Sequence, residues 1–268
     1  MDKSFRYHDA TISYNVYGSG MPVMLLHGFA EDHSIWNKQV DGLSRLYQLI
    51  IPDLPGSGKS DLLEGENFRM EAYAACVNAL LVHEKIEGLV MLGHSMGGYI
   101  TLAFAERYPA KLKGFGFVHS TAFEDSEEKK AMRRKGIKMM EEYGAFSFIK
   151  NTTPNLFSEK FKKEQPAQVN AVIEAAKDFT VAALTQYYNA MLNRRDRKNV
   201  LVESTRPVLF IAGTDDAAAP LRDVLEQVHL PRVSYIHVIN NVGHMGMIEA
   251  PGEVNKHLLQ FLDLCEHE

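Results

Sequence analysis

The chain has 268 residues, of which 46% are hydrophobic, 24% charged and 10% aromatic; these proportions exclude collagen-like, low-complexity and wholly disordered classes. Its 29 basic residues against 34 acidic ones leave a formal charge of −5, so no nucleic-acid footprint is visible at whole-chain level. Cys76 and Cys265 make neither a disulfide framework nor a CxxC zinc pair, and no apolar run approaches the ~18 residues of a membrane-spanning helix. The first ten residues contain Lys3 and Arg6 but no apolar stretch; no signal peptide is expected, and the cytoplasm is the expected location.

In chain order, Phe5–His8 and Thr11–Tyr17 alternate in polarity around Asp9-Ala10 and predict an antiparallel hairpin. After Gly18-Ser19-Gly20, the run Pro22–Leu26 is apolar throughout, as a strand buried on both faces should be. Similar short runs follow at Tyr47–Ile51, Gly88–Leu92, Gly114–Val118, Val208–Ala212 and Val233–Val238. Helical patterns lie between them at Ser34–Leu46, Phe68–Lys85, Met96–Tyr108, Pro220–Gln227 and Pro251–Leu264. Strands alternating with helices imply βαβ units and a mainly parallel sheet, with ligands expected at the carboxyl ends of strands.

One stretch breaks the alternation. Residues 122–201 hold no strand pattern, only helical segments interrupted near Gly144, Pro154 and Pro166. This stretch carries 15 Lys/Arg against 11 Asp/Glu, a net of +4, while the remainder carries −9. It is expected to be a helical insertion packed over one end of the sheet, its basic excess mainly a solvated face.

Chemistry concentrates at the strand-to-helix turns. Gly93-His94-Ser95-Met96-Gly97-Gly98 follows a buried strand pattern and opens a helical one, the setting of a nucleophile elbow. Small residues allow a sharp turn that projects the Ser95 hydroxyl, and the helix N-terminus adds amides beside it. A serine hydroxyl is a weak nucleophile without a base, and the base needs an orienting carboxylate. His244 lies directly after the last strand pattern and is the candidate base. Asp215 and Asp216, after Val208–Ala212, are neighbouring candidates for the carboxylate, with Glu124 and Asp125 a weaker third option. An oxyanion hole would take the amide of Met96, the residue after the nucleophile, and that of Phe29, in the turn His27-Gly28-Phe29. His27 itself reads as a structural partner for loop backbone.

Other motifs fail. Gly56-Ser57-Gly58-Lys59-Ser60 resembles the end of a Walker A loop, but Asp53 stands where that pattern needs glycine and Pro55 interrupts it. No G-x-G-x-x-G follows the early strands and no H-E-x-x-H occurs. The insertion aromatics Phe146, Phe148, Phe157, Tyr187 and Tyr188 read mainly as core, with an apolar pocket as the alternative.

Together, His27-Gly28-Phe29, the Pro52–Ser60 segment, Gly93–Gly98, Gly213-x-x-Asp216-x-x-x-Pro220 and Gly243-His244 resemble the α/β-hydrolase family, in particular its compact capped serine hydrolases, carboxylesterase-like in type. The resemblance implies a mostly parallel eight-stranded sheet flanked by helices, with β2 antiparallel, a core of residues 1–121 and 202–268, and an all-helical cap of residues 122–201. It also selects Asp216 over Asp215, because the family's acid loop has the G-x-x-D-x-x-x-P spacing. Members that open epoxides or remove halides use an aspartate nucleophile, which Ser95 argues against. Members that cleave carbon–carbon bonds often carry Trp soon after the catalytic His; here Met245-Gly246-Met247 follows and Trp36 is the only Trp. The expected function is therefore hydrolysis of small esters with an apolar acyl or alcohol part by Ser95, His244 and Asp216, with no cofactor and no nucleic-acid partner. Alternatives are C–C bond hydrolysis or perhydrolysis by the same groups, or a small-molecule receptor on the same fold.

Overall fold

In the computed structural model, which describes residues 2–65 and 69–267, the chain opens with a hairpin of β1 (Asp2–Tyr7) and β2 (Ala10–Tyr17). Tyr7 pairs with Ala10, so the turn is His8-Asp9, one residue earlier than the polarity pattern suggests. His8 takes the positive φ of 52° that so tight a connection needs. Then come β3 (Pro22–Leu26), α1 (Asn37–Leu43), β4 (Gln48–Pro52), α2 (Met70–His83), β5 (Leu89–His94), α3 (Met96–Arg107) and β6 (Leu112–Val118). The expected start of α2 at Phe68 lies outside the described residues. The expected helix from Ser34 begins as a 3-10 turn, His33–Trp36, because the Asp32 side chain accepts the Ser34 amide at 2.8 Å.

Between β6 and β7 the described chain is helical: α4 (Glu127–Tyr143), α5 (Ala145–Thr152), α6 (Glu159–Glu164), α7 (Pro166–Ala175), α8 (Val181–Leu192) and α9 (Lys198–Glu203). Three of its breaks are the anticipated ones, and two more, at residues 176–180 and 193–197, separate α7, α8 and α9. Gly144 separates α4 from α5 at φ 85°, Pro154 sits in a 3-10 turn, and Pro166 opens α7. The chain closes with β7 (Val208–Gly213), α10 (Leu221–Leu225), β8 (Ser234–Ile239), α11 (Gly246–Glu249) and α12 (Pro251–His267).

The eight strands form one sheet in the order β1-β2-β4-β3-β5-β6-β7-β8. β2 runs antiparallel to both its neighbours, and all other pairs are parallel. Alternate residues feed two cores. Met24, Leu26 and Met91 join Tyr73, Leu80, Ile100 and Phe104 of α2 and α3 on one face. Val23, Leu25 and Leu92 join Leu43, Leu258 and Phe261 of α1 and α12 on the other. Each such side chain contributes about 1.5–3 kcal/mol on burial, which is why the central strands read as unbroken apolar runs. Since β3 lies between β4 and β5, the winding reverses there, and the crevice forms beyond the carboxyl ends of β3 and β5.

Candidate active site

Ser95 bridges β5 and α3 with φ 50° and ψ −116°, a strained backbone for a residue with a side chain. The flanking glycines make the turn sterically possible. A Cβ on Gly93 would lie 2.2 Å from Gly97 backbone, and one on Gly97 would lie 2.5 Å from the Leu26 carbonyl oxygen. The Ser95 amide donates to Val118 O at 3.2 Å, and the Ser120 hydroxyl donates to Ser95 O at 2.7 Å. Strand β6 and the residues just after it thus hold the turn from both sides.

His244 follows β8 in a loop, buried, with Nδ1 2.9 Å and 3.0 Å from the two oxygens of Asp216. Its ring lies 4.8 Å from that of His94, the residue preceding Ser95. Asp216 is also the acceptor for the amides of Ala218 (2.9 Å) and Ala219 (2.8 Å), and for Nδ1 of His119 at 3.2 Å. Burial alone would raise its pKa; the His244 charge and the hydrogen bonds from both histidines outweigh that and hold the carboxyl well below its ordinary range. Burial pushes the His244 pKa down, but Asp216 more than compensates and the net direction is up.

The remaining carboxylate candidates are committed elsewhere. Asp215 is exposed and accepts the Thr214 hydroxyl at 2.8 Å. Asp125 is buried between Arg133 (2.6 Å) and Arg194 (2.8 Å), and Glu124 lies 3.5 Å from Lys130 on the outside. Met96 is the first residue of α3, where amides have no intrahelical acceptor. Phe29 lies in the turn after β3, and that turn touches the elbow: a Cβ on Gly28 would be 3.1 Å from Ser95 Cβ. His27 has the structural role expected. Its Nδ1 donates to Gly28 O at 2.8 Å while Nε2 accepts the Leu54 amide at 2.9 Å, and burial lowers its pKa.

Comparison with known proteins gives the same architecture. Residues 21–143 match the α/β hydrolase fold family. An esterase from Thermogutta terrifontis superposes with a TM-score of 0.93 at 26% identity, covering 99% of both chains. The chain has the α/β-hydrolase fold. Lipase 3 of Moraxella sp. is 25% identical over 87% of this chain and 74% of its own length. A 2-hydroxy-6-oxononadienedioate/2-hydroxy-6-oxononatrienedioate hydrolase of Paraburkholderia phymatum is 28% identical over 94% of this chain and 90% of its own.

In this α/β-hydrolase-fold protein the helical stretch between β6 and β7 holds the turns that carry these residues. The His244 amide donates to Leu156 O at 2.7 Å. Glu249 accepts the amides of Gly243 and Ser158, each at 3.0 Å, and the Ser158 hydroxyl at 2.6 Å, buckling the His244 loop to the insertion. On the opposite side the Phe29 ring stacks on Tyr188 of α8, centroids 4.3 Å apart, with Phe148 edge-on to both. Phe157 stacks on Phe161 and Tyr187 is fully buried, so the insertion aromatics divide between core and site.

A cavity of about 90 Å³ lies between these parts, lined by Phe29, Glu31, Ile149, Val172, Tyr188 and Met245 among others, with no Lys or Arg. A larger cleft of about 230 Å³ between the turn after β3 and α7 shares Ala30, Glu31 and Val172 with it. The Walker-like segment instead wraps Asp53, whose Oδ2 accepts the Lys59 amide at 2.9 Å. Among the described residues, Asp32, His33 and Asp53 form the one His/Cys/Asp/Glu group compact enough to chelate, within 4.8 Å. Its oxygens already serve the loop, Asp32 through Ser34 and Asp53 through His33 and Lys59.

The pattern of residues did not single out His119, Glu31 or Glu249. His119 had a signal, its position directly after a strand in the sequence. Glu31 and Glu249 had none, since their partners are set by tertiary contacts.

Proposed function

We propose that the protein is a serine hydrolase of small carboxylic esters with an apolar acyl or alcohol part, working through an acyl-enzyme. The observation that carries this reading is the buried Asp216–His244 pair at 2.9 Å, with its imidazole beside the residue that precedes Ser95. Asp216 fixes the proton on Nδ1, so Nε2 is the acceptor for the Ser95 proton as Oγ attacks the ester carbonyl. The Met96 and Phe29 amides then take the negative charge of the tetrahedral intermediate. His244 returns the proton to the departing alcohol, and next takes one from the water that attacks the acyl-enzyme. Collapse of the second intermediate breaks the acyl–Oγ bond, His244 hands its proton back to Oγ, and the acid leaves. No step calls on a metal or organic cofactor.

In this reading residues 122–201 act as a cap over a core of 1–121 and 202–268, and Tyr188 closes the pocket by stacking on Phe29. An aryl-ester panel of increasing acyl length tests it. Wild-type protein is expected to turn over neutral esters, and Ser95→Ala to lose about 10⁴-fold or more in kcat. Turnover that survives Ser95→Ala contradicts the reading.

Hydrolysis of a C–C bond is the second reading, supported by the similarity to the Paraburkholderia phymatum protein. That relative's name describes dianionic compounds, whereas the cavity here is lined by an acidic side chain and no basic one. Lys38 lines only the adjoining cleft, so this cavity suits an uncharged group.

A further inference from the structure

Glu31 is a second carboxylate at this site, and the mechanism above gives it no task. It lies in the turn after β3, only 8% exposed, and its Oε2 accepts the Gly28 amide at 2.6 Å. Its Oε1 lies 3.1 Å from His94 Nε2, while His94 Nδ1 donates to Val118 O at 3.0 Å. A Cβ on Gly28 would be 2.9 Å from this carboxylate and 3.1 Å from Ser95 Cβ, so the turn packs against both the acid and the nucleophile. Besides the Gly28 amide, the carboxylate meets His94 Nε2. A glutamine would accept the Gly28 amide equally well, without the several kcal/mol that burying a charge costs. The charge is the feature that calls for a reason.

We propose that Glu31 is a positioning residue: its carboxylate locks the Gly28-Phe29 turn and supplies a second negative charge that stabilises the positive charge arising on His244 when it takes the Ser95 proton. This rests on the serine-hydrolase reading. The groups facing His244 come from every neighbouring element: Asp216 after β7, His119 after β6, His94 at the end of β5, Glu31 after β3, and Lys129 in α4. Asp216 and Glu31 favour protonated His244, and Lys129 opposes it. His119 donates to Asp216, and Glu249 grips the loop backbone at Gly243.

The test compares two variants of the full chain on one neutral aryl ester across pH. Glu31→Gln keeps an acceptor for Gly28 and removes the charge; Glu31→Asp keeps the charge and shortens the reach. In the Gln variant kcat should fall about tenfold with KM within about twofold, the pattern of an interaction made only in the transition state. Removing a negative charge makes His244 harder to protonate, so the acid limb of kcat should move down by about half a pH unit. The Asp variant should lose kcat with its acid limb in place.

An unmoved acid limb in Glu31→Gln, or equal losses in both variants with one shared pH profile, overturns the proposal and leaves Glu31 as a structural residue. Should the Gln variant not fold, Glu31→Asp decides alone. Reduced kcat with an unmoved limb supports the proposal; wild-type activity or a moved limb overturns it. Ser95→Ala measured alongside separates the two claims. Turnover retained there sinks the hydrolase reading, and an NMR titration of the His244 imidazole then reports on the Glu31 charge without turnover.

Discussion

Asp216 serves four donors with two oxygens, and each one narrows what it can do. The Ala218 and Ala219 amides fix the carboxylate, leaving it aimed at His244 and His119. An amide in its place presents a donor to His244 Nδ1 or turns away, so the imidazole loses its tautomer. Asp216→Asn should therefore lower kcat on an aryl ester by about 10⁴ with little change in folding. Asp215→Asn, on the exposed side of the same turn, should leave the steady-state rate near wild type.

Adjacent aspartates of this kind show where residue patterns stop. Ser95 and His244 were legible because strand-end position and flanking glycines are local signals. Burial, which separates Asp216 from its neighbour, depends on strands paired across the sheet. The family's spacing, not the residues themselves, supplied the choice. Glu31 was illegible for the same reason, since its partners Gly28 and His94 become one surface only when β3 and β5 pair.

At the scale of elements, the helical stretch between β6 and β7 is tied to α2 and α3 by ion pairs to a buried arginine as well as by apolar contact. Arg197, directly before α9, is almost fully buried and binds Glu71 of α2 and, at 3.1 Å, Glu106 of α3. Its amide donates to Ala122 O at 2.9 Å, joining the two ends of the insertion. Removing one partner of a buried pair leaves uncompensated charge. Glu71 and Glu106 keep some solvent, so Arg197→Ala should cost about 3 kcal/mol, at the lower end of the range, measured by denaturant unfolding. A change under about 0.5 kcal/mol would mean that apolar packing alone holds α9 to the core.

Helix breaks at Gly144, Pro154 and Pro166 were readable because glycine and proline act on their own backbone. The salt bridges were not: Arg197 meets partners 91 and 126 residues away, a separation that no periodicity records. The eight strands were readable, the central ones because they must be apolar on both faces and the opening pair because it alternates in polarity. Their ends were less so, and the first turn shifted by a residue.

For the whole molecule, the charge of −5 divides into a −9 remainder and a +4 insertion, and the buried ionisable groups determine how stability responds to pH. Glu31, Asp53, Asp125 and Asp216 all have carboxyls held below their ordinary range, against the burial that would raise them. Their stabilisation is present above the unfolded-state values, about pH 4, and is lost as pH falls toward the folded ones. His27 and His119 are pushed down mainly by burial, so the unfolded chain binds protons first and stability falls below about pH 6.5. His244 is shifted up and opposes that step; its contribution is complete below about pH 6.5 and is lost as pH rises through its folded value. Melting temperature should thus decline modestly from about pH 6.5 and steeply below about pH 4. A flat profile down to about pH 3 would contradict the assignment of ionised buried carboxylates.

The central claim concerns one hydroxyl, and covalent labelling reaches it most directly. Intact-mass analysis after treatment with a fluorophosphonate should show a single adduct on the wild-type chain, mapped by peptide fragmentation to Ser95, and none on Ser95→Ala. A wild-type chain that takes no label, or an adduct that persists in Ser95→Ala, would contradict the assignment of Ser95 as the nucleophile.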